Sequence, residues 1–148
     1  MKLVSACLLG VKCNYKGDCS TKKRLEARLN DGDIVPFCPE LLGGLSIPRD
    51  AAEIIQGDGH DVLKNTAYVQ TVKGAPVTGE FVSGAYASLK LAKAVQPDEI
   101  ILKSLSPSCG LGFIYDGTFS DTLREGDGVC AALLKKEGFN VVCSDDYT

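Results

Sequence analysis

The sequence predicts a single α/β domain over residues 1–148, with a mostly parallel open sheet and helices on both faces in a Rossmann-like arrangement. The first observation is length, because 148 residues correspond to one domain at roughly 150 residues per domain. The second is that short apolar runs alternate with amphipathic helical patterns, which favours a parallel sheet covered by helices. The third is that the first 38 residues have the rhythm of a strand–helix–strand unit.

The first unit comprises two predicted strands and one helix. The apolar run at residues 3–7 predicts a buried strand. A helix is predicted over residues 20–30, with Leu25 and Leu29 one turn apart on the same face. A second strand is predicted over residues 33–38.

The middle of the chain carries the longest predicted helix. Prolines and glycines predict a loop over residues 38–50, and residues 51–55 suggest one helical turn. Residues 66–72 predict a strand. A helix follows over residues 78–95, for which Thr78 is the expected cap.

The last third predicts two more strands and a helix. Residues 98–103 form the clearest buried strand, and a loop rich in glycine, proline and serine covers residues 104–112. Asp127 is the expected cap of a helix over residues 129–137. A final strand is predicted over residues 140–143.

Composition excludes several classes of partner. Hydrophobic residues make up 45% of the chain and charged residues 24%, which are ordinary values for a globular domain. The 16 basic and 19 acidic side chains give a net charge of −3, whereas nucleic-acid binding depends on a basic surface. No apolar run approaches the roughly 18 residues of a membrane span, and the apolar stretch before Cys7 is too short for a signal peptide. We therefore expect a cytoplasmic protein whose partner is neither a nucleic-acid polymer nor a membrane.

Seven cysteines are the unusual feature of the composition. An odd number in a chain of this length does not fit a secreted disulfide scaffold, so reduced thiols are expected that bind a metal, catalyse or pack. The single histidine, His60, excludes zinc sites that need two, and its place between turn glycines predicts a solvated loop residue. The cysteines are Cys7, Cys13, Cys19, Cys38, Cys109, Cys130 and Cys143.

Three of these cysteines follow predicted strands. Open parallel sheets bind ligands outside the carboxyl ends of their strands. Cys7 ends the first predicted strand, Cys38 ends the second, and Cys109 lies six residues beyond the strand at 98–103. We therefore expect these three side chains at one edge of the sheet. Cys143, which ends the last strand, is a further candidate for that edge.

The surroundings of two of these cysteines favour metal chemistry. A proline follows Cys38 directly and another precedes Cys109 by two residues, and proline with glycine nearby is common around iron–sulfur ligands. Glu40 adds a carboxylate and Ser106 a hydroxyl, and hydrolysis requires a proton acceptor beside a Lewis-acidic metal. Arg49, in the Cys38 loop, is expected either to hold an anionic or carbonyl group or to fix the loop by hydrogen bonds.

The remaining cysteines have simpler explanations. Cys130 and Cys143 are expected to pack as small apolar side chains. Cys13 and Cys19 continue from Cys7 at six-residue spacing, and a zinc site on this ladder is an alternative. Structural zinc sites normally use cysteine pairs two to four residues apart, and the sequence has none. The alternative zinc ligands are Cys7, Cys13, Cys19 and Cys38.

Several segments carry a family resemblance, in chain order and over nearly the whole chain. They are SACLLG (5–10), VPFCPE (35–40), GGL (43–45), PR (48–49), KSLSPSCG (103–110), IYDGTF (114–119) and GDGV (126–129). Together they resemble a bacterial family long catalogued as a domain of unknown function, whose characterised member is a thiouracil desulfidase.

The resemblance implies an α/β fold with a [4Fe–4S] cluster held by three cysteines only. The matching positions are Cys7, Cys38 and Cys109, and the fourth iron is left open to the sulfur of the substrate. Glu40 and a serine of the stretch from Ser106 to Ser108, with Ser106 preferred, match the acid/base and hydrogen-bonding residues. The implied reaction is non-redox: water replaces sulfur, C=S becomes C=O, and hydrosulfide is released.

The sequence departs from the family after Cys13, a position that is cysteine mainly in short members and is therefore not implied as an obligate ligand. The usual arginine-tyrosine-aspartate-glycine run is Asn14-Tyr15-Lys16-Gly17 here. If this loop lines the pocket, the charge of the pocket is altered. The substrate is then a thiolated nucleobase or a similar small molecule, and not necessarily thiouracil.

Two other functions stay open at this point. A metal-free sulfurtransferase would carry a persulfide on Cys38 or Cys109 and would need one essential cysteine. A non-catalytic iron–sulfur or zinc binding module would hold its metal without turnover. The cluster enzyme needs three essential cysteines, so cysteine substitutions distinguish the hypotheses.

Overall fold

The structure, a computed structural model, describes residues 1–147. Within this range the chain forms eight β-strands, five α-helices and three short 3₁₀ turns, at Ala6–Leu9, Arg28–Asp31 and Ser144–Asp146. In chain order the strands and helices are β1 (Lys2–Ser5), α1 (Lys23–Ala27), β2 (Ile34–Phe37), α2 (Pro39–Leu42), β3 (Ala52–Ile55), α3 (Gly59–Leu63), β4 (Tyr68–Thr71), α4 (Thr78–Val95), β5 (Glu99–Leu102), β6 (Phe113–Tyr115), β7 (Leu123–Glu125), α5 (Val129–Lys136) and β8 (Val141–Cys143).

Four strands form the main sheet in the order β2-β1-β5-β8, and each neighbouring pair is parallel. The predicted α/β fold with a parallel sheet is therefore confirmed. The chain first moves from β1 to β2 and later returns to the opposite side of β1 to form β5. This reversal opens a crevice outside the carboxyl ends of the central strands, where open α/β sheets bind ligands.

Helices cover both faces of the sheet, as predicted. On one face Leu3, Ile100 and Leu102 are fully buried in a core cluster shared with α4 and α5. On the other face Val4 and Ile101 pack with the first 3₁₀ turn and with α1. Successive side chains of a strand point to opposite faces, so a sheet covered on both sides needs the continuous apolar runs that predicted β1 and β5.

Helix α4 has the predicted bounds, but Thr78 does not cap it as expected. The residue before the helix is Val77, and no side chain caps the helix there. The Thr78 hydroxyl instead accepts from the Val69 amide at 3.0 Å and donates to the Val69 carbonyl at 3.4 Å, which ties α4 to β4. Within residues 1–147, no helix has the length and apolar character needed to cross a membrane.

Three predicted segments differ from the structure. Residues 51–55, expected as a helical turn, form β3, which pairs with β4 in an antiparallel hairpin. Part of the predicted loop at 38–50 is the short helix α2, with Pro39 at its first position, where a missing amide costs nothing. The hairpin of β6 and β7 lies in a segment for which no strand was expected.

The first predicted helix is shorter than expected. Helix α1 ends at Ala27 and continues as a 3₁₀ turn, so the 3.6-residue spacing that would place Leu29 beside Leu25 is lost. Leu25 is fully buried, whereas Leu29 is 40% exposed. The guanidinium of Arg28 is ion-paired with Asp33 just beyond this turn.

Asp127 stabilises the junction between α3, α5 and the loop before β6, and it is not the helix cap that was expected. Its buried carboxylate accepts from the Gly112 amide at 2.9 Å and lies 2.8 Å from His60 Nε2 and 3.3 Å from Lys135 Nζ. The cap position of α5 is held by Gly128. His60 is therefore a paired residue of α3, not a free loop side chain. Burial alone would raise the pKa of Asp127, but the Gly112, His60 and Lys135 contacts outweigh it and lower that pKa.

We expect Asp127→Ala to lower the free energy of unfolding at pH 7 by about 1–3 kcal/mol, because it removes the hydrogen bond from the Gly112 amide and the contacts with His60 and Lys135. A group with a lowered native pKa contributes stability above its unfolded pKa, near 3.9 for aspartate, and loses it as the pH falls through the native value. The difference between parent and variant in urea unfolding should therefore shrink below about pH 4. The exposed Asp146→Ala serves as control, and a difference that does not change with pH would contradict the ion-pair explanation.

Candidate active site

A cleft of about 390 Å³ lies at the carboxyl ends of β1, β2 and β5. Ligand sites of small-molecule enzymes fall in this range of volume. All five residues that the sequence singled out as site residues line it. They are Cys7, Cys38, Cys109, Glu40 and Ser106.

The three cysteines come from three separate segments. Cys7 lies in the 3₁₀ turn directly after β1, so the strand ends at Ser5 and not at Cys7 as expected. Cys38 is the residue between β2 and α2. Cys109 lies in the loop after β5 and is only 4% exposed. Parallel strands therefore deliver the three thiols to one cleft, as the strand-end argument predicted.

A fourth thiol, that of Cys13, belongs to the same cleft. Its side chain is 1% exposed and is hydrogen-bonded with both Cys7 and Cys38. The hydrogen bond with Cys38 favours the Cys13 thiolate, but the bond with Cys7 and burial outweigh it and raise the pKa of Cys13 to about 11. The only sequence signal for this placement was the six-residue spacing from Cys7.

Two further thiols of the cleft, those of Cys38 and Cys109, also resist ionisation. The hydrogen bond with Cys13, together with burial, raises the pKa of Cys38. Burial raises the pKa of Cys109 well above its usual value. A buried thiolate needs a compensating cation, and metal coordination deprotonates a thiol outright. The chemistry of these donors fits a cationic metal centre.

The cleft cysteines do not form a ready site for a single metal ion. In the described part of the chain, no three His, Cys, Asp or Glu side chains converge closely enough to hold one metal ion. A four-iron cluster accepts each thiolate on a different iron, so its ligands stand further apart than those of zinc. The zinc alternative lacks its geometry, because Cys19 is exposed and accepts a hydrogen bond from the Thr21 hydroxyl at 3.3 Å.

Two cysteines lie away from the cleft. Cys130, in α5, is completely buried in the core cluster, and burial raises its pKa to about 12. Cys143 ends β8, at the margin of the sheet, and is half-buried. Both positions suit the packing role expected for them.

Glu40 is held by hydrogen bonds from two sides of the cleft. Its Oε2 accepts from the hydroxyl of Ser108 at 2.9 Å and from that of Ser106 at 3.4 Å. Its Oε1 accepts from Arg49 Nε at 3.2 Å. The side chains of both partners of this ion pair are largely buried, at 16% exposure for Glu40 and 8% for Arg49. The carboxylate is therefore fixed in orientation at the wall of the thiol cleft.

Ser106 and Ser108 make different contacts at this wall of the cleft. Ser106 Oγ accepts from the amides of Ser108 and Cys109, both at 3.1 Å, and so shapes the loop that carries the cysteine. Ser108 donates to Glu40 over the shorter distance, and its hydroxyl oxygen also lies 3.7 Å from Cys109 Sγ. A second hydroxyl, that of Ser5, donates to the same sulfur at 3.6 Å. Hydroxyl donors toward cysteine sulfur tune the potential of iron–sulfur centres.

Arg49 fixes its loop by hydrogen bonds, the second of the two roles expected for it. Its guanidinium grips the Glu40 carboxylate, and Nη2 donates to the Cys13 carbonyl at 2.9 Å. Its backbone amide donates to the Tyr15 carbonyl at 2.8 Å. Tyr15 and Lys16, from the loop that departs from the family pattern, do line the cleft.

Two glycines allow α2 to touch α4 backbone to backbone. A Cβ at Gly84 would lie 2.0 Å from the Pro39 carbonyl oxygen, and a Cβ at Gly43 would lie 2.0 Å from the Glu80 carbonyl oxygen. Such distances admit no side chain at either position. This contact fixes α2, and with it the segment from Cys38 to Glu40, against the longest helix of the fold.

We expect Gly84→Ala to displace α2 and to cost about 1–3 kcal/mol of unfolding free energy, the usual cost of overpacking. Gly79→Ala, in the same helix but with nothing within 4 Å of the added Cβ, should be neutral or stabilising, by up to about 1 kcal/mol. Urea unfolding of both variants checks the pair. Equal stability of the two would show that the contact does not constrain α2.

The fold and the cleft define a class: α/β proteins whose cysteines gather beside a carboxylate at the carboxyl edge of a parallel sheet. Within that class the chain belongs to the 2-thiouracil desulfurase family, whose profile matches residues 3–146. The resemblance drawn from the sequence motifs is thereby confirmed.

Two relatives cover almost the whole chain. The uncharacterized protein YbbK of Bacillus subtilis strain 168 is 46% identical over 146 residues, which are 99% of this chain and 97% of YbbK. A solved structure of the [4Fe–4S]-dependent thiouracil desulfidase TudS superposes with a TM-score of 0.86 at 39% identity, over 98% of this chain and 91% of TudS. The cofactor named for that relative is the one that the sequence resemblance implied.

Proposed function

We propose that this protein removes sulfur from a thiolated nucleobase or a similar small molecule, converting C=S to C=O and releasing hydrosulfide. The observation that carries the proposal is the convergence of Cys7, Cys38 and Cys109 on one cleft that also holds Glu40. The family membership and the dependence of TudS on a [4Fe–4S] cluster support it. We assign the activity to residues 1–148 as one catalytic domain and place it in the cytoplasm, where thiols stay reduced.

The three thiolates of Cys7, Cys38 and Cys109 would hold the cluster. With three protein ligands, a [4Fe–4S] cluster would offer one open iron as a Lewis acid for the thiocarbonyl sulfur. Ser5 donates to Cys109 Sγ, and the hydroxyl of Ser108 contacts the same sulfur, so this ligand would be held in one orientation.

Glu40 is the proposed acid/base. It would accept a proton from the water that adds to the thiocarbonyl carbon, and would return a proton when sulfur departs. Arg49 holds Oε1, so Oε2 and the hydroxyl of Ser108 or Ser106 face the reaction with a defined geometry. Ser106 is the serine that the resemblance favours, whereas the shorter contact to Glu40 belongs to Ser108.

The size and lining of the cleft suit a small polar ring. Its volume of about 390 Å³ would have to contain both the cluster and the substrate, which excludes a bulky polymer from the depth of the site. Polar groups of Asn14, Tyr15 and Lys16 line it. The loop that differs from the family pattern would therefore help to select among thiolated compounds.

Protein purified and reconstituted without oxygen should be brown, should contain about four irons per chain, and should bleach in air. Loaded protein should release hydrosulfide from 2- or 4-thiouracil, measured colorimetrically. Stoichiometric zinc without iron uptake would instead indicate the binding module. Metal-free protein that transfers sulfur through one essential cysteine would indicate the sulfurtransferase.

A further inference from the structure

Two lysine side chains of the thiol cleft have no acidic partner. Lys16 and Lys103 both line the cleft, and within residues 1–147 neither forms an ion pair with an aspartate or a glutamate. Lys103 is half-buried, and its Nζ donates to the carbonyl and the hydroxyl of Ser104 at 3.2 and 3.1 Å. An ammonium carries three N–H donors, so Lys103 keeps one donor and its full charge for a ligand of the cleft.

The exposed Lys16 belongs to a turn that hydrogen bonds hold in place. Asn14 Oδ1 accepts from the amides of Lys16 and Asp18, at 3.1 and 2.8 Å. The Arg49 amide donates to the Tyr15 carbonyl at 2.8 Å, which ties the turn to the loop after α2. Lys16 Nζ lies 5.6 Å from the centroid of the Tyr15 ring, within the range of a cation–π contact. The exposed part of the cleft lining therefore combines a fixed positive charge with an aromatic ring.

The other charged side chains of the cleft differ from these lysines in their contacts. Glu40 and Arg49 are paired with each other. Glu53 Oε1 accepts from two backbone amides of the loop after β6, at 2.9 and 3.1 Å. Asp121 is exposed. The lining as a whole is balanced, so what an incoming anion meets depends on which cations lack an acidic partner, and these are the two lysines.

The part of the cleft around the cysteines does not suit an anionic group. Cys7, Cys38 and Cys109 would hold the cluster as thiolates, and three thiolates bring negative charge that repels an anion. In the proposed function the thiocarbonyl sulfur of the substrate must lie at this part of the cleft. A charged group elsewhere on the substrate would then face the rest of the lining, which includes Lys16.

We propose that the substrate is a thiolated ring that carries an anionic group, a carboxylate or a phosphate, attracted by Lys16 and Lys103. This inference rests on the proposed function and names the class of its substrate. Ion pairs at an exposed site add little affinity, but they discriminate between charged and neutral ligands. The two lysines would therefore determine specificity and take no part in the bond changes of the desulfuration.

The test compares pairs of compounds that differ in charge. The carboxylate pair is 6-carboxy-2-thiouracil and its neutral counterpart 6-methyl-2-thiouracil. The phosphate pair is 4-thiouridine 5′-monophosphate and 4-thiouridine, and 2-thiouracil is the reference compound. Hydrosulfide release by fully loaded protein gives kcat and KM for each. The parent should show a KM about 5-fold lower for the anionic member of at least one pair, with kcat little changed.

The variants change charge on and off the cleft. Lys16→Asp should abolish or reverse the preference of the parent, and Lys103→Gln, which can still donate to Ser104, should reduce it. Lys12→Asp is the matched control, because Lys12 precedes Lys16 in the same loop, is exposed and does not line the cleft. This control changes the net charge by the same amount and should keep the preference. In the parent, about 1 M salt should also weaken the preference, because the Debye length falls from about 10 Å at 0.1 M to about 3 Å.

The possible failures are distinguishable. A parent that is active on 2-thiouracil but shows no preference for the anionic member of either pair would overturn this inference alone. A preference that Lys16→Asp and Lys103→Gln leave unchanged, or that Lys12→Asp removes equally, would also overturn it. A fully loaded parent that releases hydrosulfide from none of the compounds, 2-thiouracil included, would overturn the proposed function and this inference with it.

Discussion

Cys38→Ser should leave the protein colourless after anaerobic reconstitution, with less than about one iron per chain where the parent binds about four. Cys7→Ser and Cys109→Ser should have the same effect. Each substitution removes one of the three thiolates that we propose as cluster ligands. Iron and acid-labile sulfide content, with the visible absorption spectrum, is the measurement.

Two other cysteines give matched controls for this loss. Cys130→Ser changes a completely buried thiol outside the cleft, and Cys19→Ser changes an exposed one. Both variants should bind iron as the parent does. Should Cys19→Ser bleach the protein while Cys109→Ser stays brown, the ligands would belong to the ladder of Cys7, Cys13 and Cys19, and the assignment would be wrong.

Glu40→Gln should assemble the cluster normally and lose about 10²-fold or more in turnover, the typical worth of a positioned acid/base. Glutamine keeps the shape of the side chain, and its one amide oxygen still accepts from either Arg49 or the serines, but it cannot take a proton. The measurement is hydrosulfide release from 2- or 4-thiouracil by fully loaded parent and variant, with KM determined for both.

The control for this prediction is Glu137→Gln, an exposed carboxylate at the end of α5, which should match the parent. A loaded Glu40→Gln variant that turns over at the rate of the parent would exclude Glu40 as the acid/base. The hydroxyls of Ser106 and Ser108, which contact Glu40, would then be the next candidates to test.

The main sheet could be predicted from sequence because its strands are buried on both faces. Runs such as Ile100-Ile101-Leu102 have no polar interruption, and only a strand between two layers of helices needs that pattern. The same regularity placed Cys7, Cys38 and Cys109 at one edge. Local apolar patterns and one general rule of parallel sheets were therefore sufficient to predict this part of the fold.

Three of the four hairpin strands, β3, β6 and β7, escaped prediction because they are defined by pairing and not by composition. Residues 52–55 contain alanine and glutamate, which favour a helix, yet pairing with Tyr68–Thr71 holds them as a strand. Cys13 escaped for a related reason. Cys13 lies in no strand or helix. Its position depends on Arg49, 36 residues away in sequence, which donates a hydrogen bond to the Cys13 carbonyl and so holds the loop.

The backbone contact between Gly43 and Gly84 has a consequence for how the protein is supplied with iron and sulfide. The segment that carries Cys38 and Glu40 is braced by an 18-residue helix, so its shape does not depend on a metal. Small zinc domains, by comparison, fold only when their metal binds. We therefore expect the protein around the site to be folded before the cluster is inserted. Cluster insertion should then change the heat capacity only slightly, because it buries little new apolar surface. A protein that has lost its cluster should therefore accept a new one in the cell without unfolding first.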